Sequence, residues 1–189
     1  MTSVYPDLSL VTARARLLEI VRAKAYKEGS FTLASGKQSD FYLDCRLVTL
    51  DPEGLALFSR LICAELGDAQ VAAVGGLTLG ADPISAGVAV TSHLLGKPIR
   101  AFIVRKEAKQ HGTARQIEGT LNAGDRVAIV DDVMTSGGSV KLAIEAVEKA
   151  GGIVAKVICL VDRKEGGDDI RARYDFKAIF EISEVRAKK

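Results

Sequence analysis

The sequence lacks the residue groupings that mark several large functional classes. It has three cysteines, Cys45, Cys63 and Cys159, widely spaced and odd in number. No Cys-x-x-Cys pair or Cys/His cluster is present, so a zinc site is not expected. Cys63 and Cys159 lie in apolar runs and read as core residues. No stretch is apolar for 18 residues, so no membrane span is expected. The N-terminus has no basic segment followed by an apolar one, so no signal peptide is expected and the cytoplasm is the expected location. Neither sign of charge prevails: 26 basic residues face 24 acidic ones, for a net charge of +2. That balance gives no bulk attraction to nucleic acid or membrane, and neither is expected as a partner. No Ser/His/Asp arrangement or reactive cysteine environment can be read, which directs attention to chemistry by charge placement rather than a covalent intermediate. Repeats, linkers and low-complexity segments are also missing. What remains, 189 residues that are 48% hydrophobic and 26% charged, fits one well-buried globular domain over residues 1–189.

The densest feature is residues 127–139. Val127, Ala128, Ile129 and Val130 have the composition of a strand buried on both faces of a parallel sheet. Asp131 and Asp132 follow where that strand is expected to end. Val133, Met134, Thr135, Ser136, Gly137, Gly138 and Ser139 lead into an amphipathic run from Val140. Strand, acidic turn, glycine-rich loop and helix in that order suit a phosphorylated sugar. Loop N–H groups and a helix N-terminus hold phosphate, and paired carboxylates accept hydrogen bonds from ribose hydroxyls. The plainer alternative, a tight strand–helix connection with surface acids, uses the same residue types. The coincidence of all the parts favours the first reading.

In chain order, Leu10, Ala13, Leu17, Leu18, Ile20 and Val21 fall at near-helical spacing, predicting a helix over 10–28 that stops at Gly29. Two β-prone pieces, 31–34 and 41–44, flank a polar turn and predict a small ribbon. Asp51, Pro52 and Glu53 supply an N-cap, a proline at the first position and an acid in the first turn of a helix running to about Leu66, closed by Gly67. A short strand at 71–74 precedes a second glycine-rich turn, 75–80. A helix over 83–95 and strands at 99–104, 127–131, 153–161 and 176–182 follow, with a helix at 138–150. This alternation predicts an α/β domain with a parallel sheet and right-handed crossovers. Ligands of such sheets bind at the carboxyl ends of the strands, where the motifs fall, and the ribbon within about residues 1–45 is expected to cap them.

Residues 105–119 carry Arg105, Lys106, Lys109, His111 and Arg115 against only Glu107 and Glu118. A solvated surface loop and a cationic lid over a polyphosphate are both open readings. His111 is either an idle surface group or a proton donor to phosphate, whereas His93 reads as structural. The 75–80 turn, set opposite the Asp-Asp loop, is expected to offer a second phosphate cradle of backbone N–H groups. Arg163 either pairs with Asp162 or Glu165 or points its fork at a substrate carboxylate.

With these residues in view, 127–139 resembles the phosphoribosyl-diphosphate (PRPP) signature of type I phosphoribosyltransferases. Residues 105–112 resemble the mobile catalytic loop of the orotate phosphoribosyltransferase family. Residues 31–36 with 39–42 resemble that family's orotate-side hood, and the resemblance covers essentially the whole chain. It implies a parallel sheet flanked by helices with a small N-terminal β hood, and transfer of phosphoribosyl from PRPP to orotate with Mg2+, in pyrimidine synthesis. It also implies a homodimer in which one subunit's loop closes over the other's site. By resemblance, Asp131 and Asp132 hold the ribose hydroxyls, while residues 133–139 bind PRPP, Thr135 through Ser139 cradling its 5′-phosphate. Lys106 serves its own site; Arg105, Lys109 and His111 reach the partner's pyrophosphate; and Thr135, Arg163, Tyr42 and Leu43 contact orotate. Mg2+ is implied to be held by PRPP and water, with no protein side chain assigned. The chain departs from many members at Ala34, where they carry lysine, and at Thr78-Leu79, where they carry a Tyr-Lys pair. Backbone N–H groups of the 75–80 turn are then expected to take the pyrophosphate.

Overall fold

The computed structural model describes residues 8–32, 36, 38–107 and 116–187. The first helix, α1 (Leu10–Ile20), starts from Ser9, whose side chain accepts a hydrogen bond from the Thr12 N–H. It is shorter than its apolar spacing predicts. A π-helical turn (Val21–Ala25) ends it, and Tyr26 is already in strand β1 (Tyr26–Thr32), which pairs antiparallel with β2 (Gln38–Leu43). Val21 and Ala25 are both buried, so the wider turn keeps two small apolar side chains on the core before the chain straightens.

The short helix α2 (Arg46–Thr49) and the long helix α3 (Pro52–Leu66) come next. Helix α3 begins and ends as its sequence predicts: the Asp51 side chain accepts from the Gly54 N–H, Pro52 occupies the first turn and Gly67 closes it. Strand β3 (Ala73–Leu77), helix α4 (Ala81–Leu94), strand β4 (Arg100–Val104), strand β5 (Ile117–Gly119), strand β6 (Arg126–Met134), helix α5 (Gly138–Lys149), strand β7 (Ile153–Asp162), helix α6 (Asp168–Arg173), strand β8 (Phe176–Glu181) and helix α7 (Ile182–Arg186) complete the chain. The six-stranded sheet runs β5-β4-β3-β6-β7-β8, parallel except for β5.

Two apolar clusters cover the two faces of this sheet. Ala128 and Val130 of β6 join the side built with Leu17, Phe58, Ile62, Ile84 and the ribbon's Phe41 and Leu43. Val127 and Ile129 join the other side, with Val140, Ile144 and Val147 of α5. Alternate residues of one strand thus feed opposite layers, as the period of a doubly covered strand requires. Of the cysteines, Cys45 and Cys159 are fully buried, and Cys63, expected in the core, is partly buried and packs against it. Among the described residues no helix is long and apolar enough to cross a membrane.

Candidate active site at the strand ends

Strand β6 does not stop before its carboxylates. Asp131 and Asp132 are strand residues, and the ladder to β7 continues through Asp131↔Cys159, Val133↔Val161 and Met134↔Asp162. The pair is therefore held by sheet hydrogen bonds rather than by a turn. The Asp132 N–H donates to Asp131 Oδ1 at 2.9 Å, and the Val133 N–H donates to Asp132 Oδ1 at 2.9 Å. Burial pushes the Asp131 carboxyl well above the usual range, and the adjacent Asp132 charge adds to the effect. Burial also raises Asp132. Two desolvated like charges side by side are unfavourable without a partner for their lone pairs.

The glycine-rich turn faces this pair. Part of the expected turn is strand, since Gly75, Gly76 and Leu77 lie in β3; the turn proper is Thr78, Leu79 and Gly80. A Cβ on Gly80 would lie 2.8 Å from Asp132 Oδ1 and 2.9 Å from Asp131 Oδ1, so only glycine lets backbone approach the carboxylates there. The Thr78 N–H donates to the Val104 carbonyl at 2.8 Å, and its hydroxyl donates to Asp82 at 2.7 Å.

After β6, Gly137 takes a left-handed conformation (φ 81°) and caps α5. A Cβ there would meet Ile170 Cδ1 at 2.4 Å, so α6 packs against the loop's backbone. Thr135 and Ser139 line a cavity of about 400 Å3, with Val133, the two carboxylates and the Gly80 turn. Ser136 and Gly138 are exposed and Gly137 is buried. Met134 does not line the cavity. Its side chain is buried in the α5 layer, and its carbonyl accepts the Arg163 N–H at 2.9 Å, which makes it a support for the site rather than a side-chain contact.

Tyr42, Leu43 and Arg163 line the same cavity. Arg163 takes the first of its open sequence readings, pairing with Glu165, while lining the cavity. It donates from Nε and Nη2 to Glu165 Oε1 at 3.0 and 2.6 Å, and its guanidinium lies 4.5 Å from the centroid of Phe41. Asp162 is not its partner: that carboxylate is fully buried and accepts from Arg171 and from the Lys164 N–H. Lys106 lines the cavity, whereas Arg105 pairs with Glu118 at 3.3 Å. Lys109, His111, Arg115 and Ala34 lie outside the described residues.

Sequence reading named Glu165 as a candidate partner of Arg163, which the structure shows, but passed over Arg46 and the role of Asp44. Asp44 and Arg46 line the cavity and pair through two 2.9 Å bonds. The signal available was an acid and a base two residues apart just past the ribbon. The cavity also touches Cys45, but burial pushes that thiol and Cys159 well up, so neither offers a thiolate nucleophile. The arrangement can bind a sugar diol, hold a phosphate on backbone N–H groups and surround a departing anion with cations.

The phosphoribosyl transferase domain family matches residues 73–187. Beyond it, the chain is 42% identical over 183 residues to the orotate phosphoribosyltransferase of Rhodopseudomonas palustris, covering 94% of this chain and 98% of that protein. It is 46% identical over 180 residues to the Synechocystis protein of the same name, covering 94% and 90%. The crystal structure of the Mycobacterium tuberculosis orotate phosphoribosyltransferase in complex with PRPP superposes with a TM-score of 0.78 at 36% identity, over 93% of this chain and 99% of that one. With similarity running through hood, sheet and cradle alike, the chain belongs to the orotate phosphoribosyltransferase family.

Proposed function

We propose that the protein transfers the phosphoribosyl group of PRPP to orotate, giving orotidine 5′-monophosphate and pyrophosphate, a step of pyrimidine synthesis. The observation that carries this reading is the buried Asp131–Asp132 pair at the end of β6, facing Gly80 and followed by the 135–139 loop. Each carboxylate already accepts one backbone N–H through Oδ1, and its further lone pairs accept hydrogen bonds from the ribose hydroxyls. Thr135 to Ser139 take the 5′-phosphate on backbone N–H groups and hydroxyls at the start of α5. Arg163, with Tyr42 and Leu43, receives the anionic base.

The bond from ribose C1 to the diphosphate oxygen breaks, the diphosphate leaves with the electron pair, and the base nitrogen bonds to C1. Positive charge grows on the ribose and negative charge on the leaving oxygens. Lys106, and by sequence Arg105, Lys109 and His111, stabilise the latter. Preorganised groups of that kind are worth roughly 3–4 kcal/mol each at the transition state.

Mg2+ belongs to this proposal as the ion that neutralises the diphosphate. Among the described residues no three His, Cys, Asp or Glu side chains form a metal cage. By the resemblance, PRPP phosphates and water would hold the ion, with no protein side chain assigned.

A homodimer with shared sites also belongs to it. Beside the cavity, Leu47, Leu50 and Leu79 are exposed around an apolar depression of about 840 Å3 that also includes Pro52 and Pro83. Three neighbouring exposed leucines support a protein partner at this face, whose depression is also lined by Asp44, Arg46, Asp51 and Asp82, and a second copy brings a second set of loop cations. Mixing Lys109→Ala with Asp132→Asn subunits should recover activity; a flat result despite subunit exchange would contradict sharing.

The reading is tested by following orotate absorbance with PRPP and Mg2+, then repeating with adenine, guanine, hypoxanthine and uracil. Consumption of orotate alone is expected. Turnover of a purine without orotate would overturn the base assignment.

A further inference from the structure

We propose that Arg46 is a fixed cation for the donor's diphosphate, acting from the end of the cavity formed by the Thr78–Gly80 turn. The inference rests on the PRPP reading above and adds a residue to it. Among the described residues, three cationic side chains line the cavity: Arg46, Lys106 and Arg163. Arg163 is held at the base end by Glu165 and the Phe41 ring. The turn facing the carboxylate pair offers Thr78, Leu79 and Gly80 to the cavity, with Leu77 of β3 beside them, none of them charged. A diphosphate on ribose C1 must lie near that turn, because the ribose sits on Asp131 and Asp132. It therefore brings several negative charges close to two carboxylates and needs compensating cations there.

Arg46 is placed to meet that need. It lines both this cavity and the neighbouring depression, each of which includes Leu79. Its charge reaches the pair, since attraction to Arg46 is one of the effects holding the Asp132 carboxyl down against burial. Its orientation is fixed before any ligand arrives. Nε donates to Asp44 Oδ1 and Nη2 to Asp44 Oδ2, both at 2.9 Å, and Asp44 Oδ1 also accepts the Arg46 N–H at 3.2 Å. Cys45, between the two residues, is fully buried and ties the pair to the core. The ion pair occupies two of the guanidinium's five N–H donors and leaves three for phosphate oxygens, a geometry that a lysine ammonium does not reproduce. The alternative is an ordinary surface ion pair, with side chains 52% and 18% exposed, which would contribute little.

Ribose 5-phosphate separates the two, because it shares the sugar and 5′-phosphate of PRPP and lacks the diphosphate. Calorimetric titrations of wild type, Arg46→Ala and Arg46→Lys with each ligand, Mg2+ present throughout, make the test. Arg46→Ala should bind PRPP about 10- to 100-fold more weakly, with ribose 5-phosphate binding and Tm unchanged and Arg46→Lys falling between. Equal loss for both ligands, or unchanged PRPP binding, overturns the inference while wild-type PRPP binding leaves the donor reading standing. A wild type that fails to bind PRPP overturns the donor reading and this inference with it.

Discussion

On the proposed reading the cavity has a donor end and a base end, and the two are built from different materials. The donor end is the tip of β6, a strand inside the six-stranded sheet with β3 and β7 on either side. Its carboxylates are placed by the sheet's own hydrogen bonds and buried by the two apolar layers. The base end is assembled from a two-stranded ribbon and the segment after β7, and Arg163 is positioned by side chains, a carboxylate and a ring. The first design gives a rigid cradle and carries a stability cost, because the sheet must bury two adjacent acids. The second leaves recognition of the base to groups that change without disturbing the sheet.

The largest expected effect tests whether these two fixed ends suffice. Lys109→Ala should lower kcat by about 100- to 1,000-fold with PRPP still bound; a variant within a fewfold of wild type would show that the two ends do the chemistry without it.

Next, Asp131→Asn should lower kcat/KM for PRPP about 10- to 100-fold, as expected for loss of a charged hydrogen-bond acceptor, and should raise Tm. The native carboxyl lies above its unfolded value, so between the unfolded pKa of about 4 and the raised one the native state holds more protons. Stability from this group therefore falls as pH rises through that window, and the Asn variant should lose that slope. A Tm that drops in the variant at neutral pH would remove the claimed cost of the cradle.

The smallest effect concerns support at the base end. Glu165→Gln keeps the shape and removes the charge that orients Arg163. It should raise KM for orotate roughly three- to tenfold, the size of one partly exposed charge-assisted contact, with KM for PRPP unchanged. A rise in both constants would mean that the two ends are not independent.

The difference between the ends also governs what could be read from sequence. Residues 127–139 were legible because a buried strand, two acids and a glycine-rich loop each leave a compositional mark, and helix α3 was legible because Asp51, Pro52 and Gly67 are local signals. The end of β6 was not legible: Asp131 and Asp132 look like loop residues, and only pairing with Cys159 and Val161 of β7 keeps them in the strand. The boundary between α1 and β1 was hidden similarly, since Val21 and Ala25 fit a helical stripe and the π-helical turn that redirects the chain has no marker of its own. At the base end, Tyr42 and Leu43 came from family resemblance, whereas Arg163 was singled out by its place just after the strand at 153–161. Glu165 and Arg46 each sit two residues from their partners, Arg163 and Asp44; the sequence offered Glu165 as a partner of Arg163, whereas only the fold shows that Asp44 and Arg46 reach the cavity.

The division of labour is tested most directly by initial rates over a grid of both substrates for Asp131→Asn and Arg163→Ala. A double separation is expected: Asp131→Asn raises KM for PRPP and leaves that for orotate near wild type, while Arg163→Ala does the reverse. Parallel increases in both constants for both variants would contradict it.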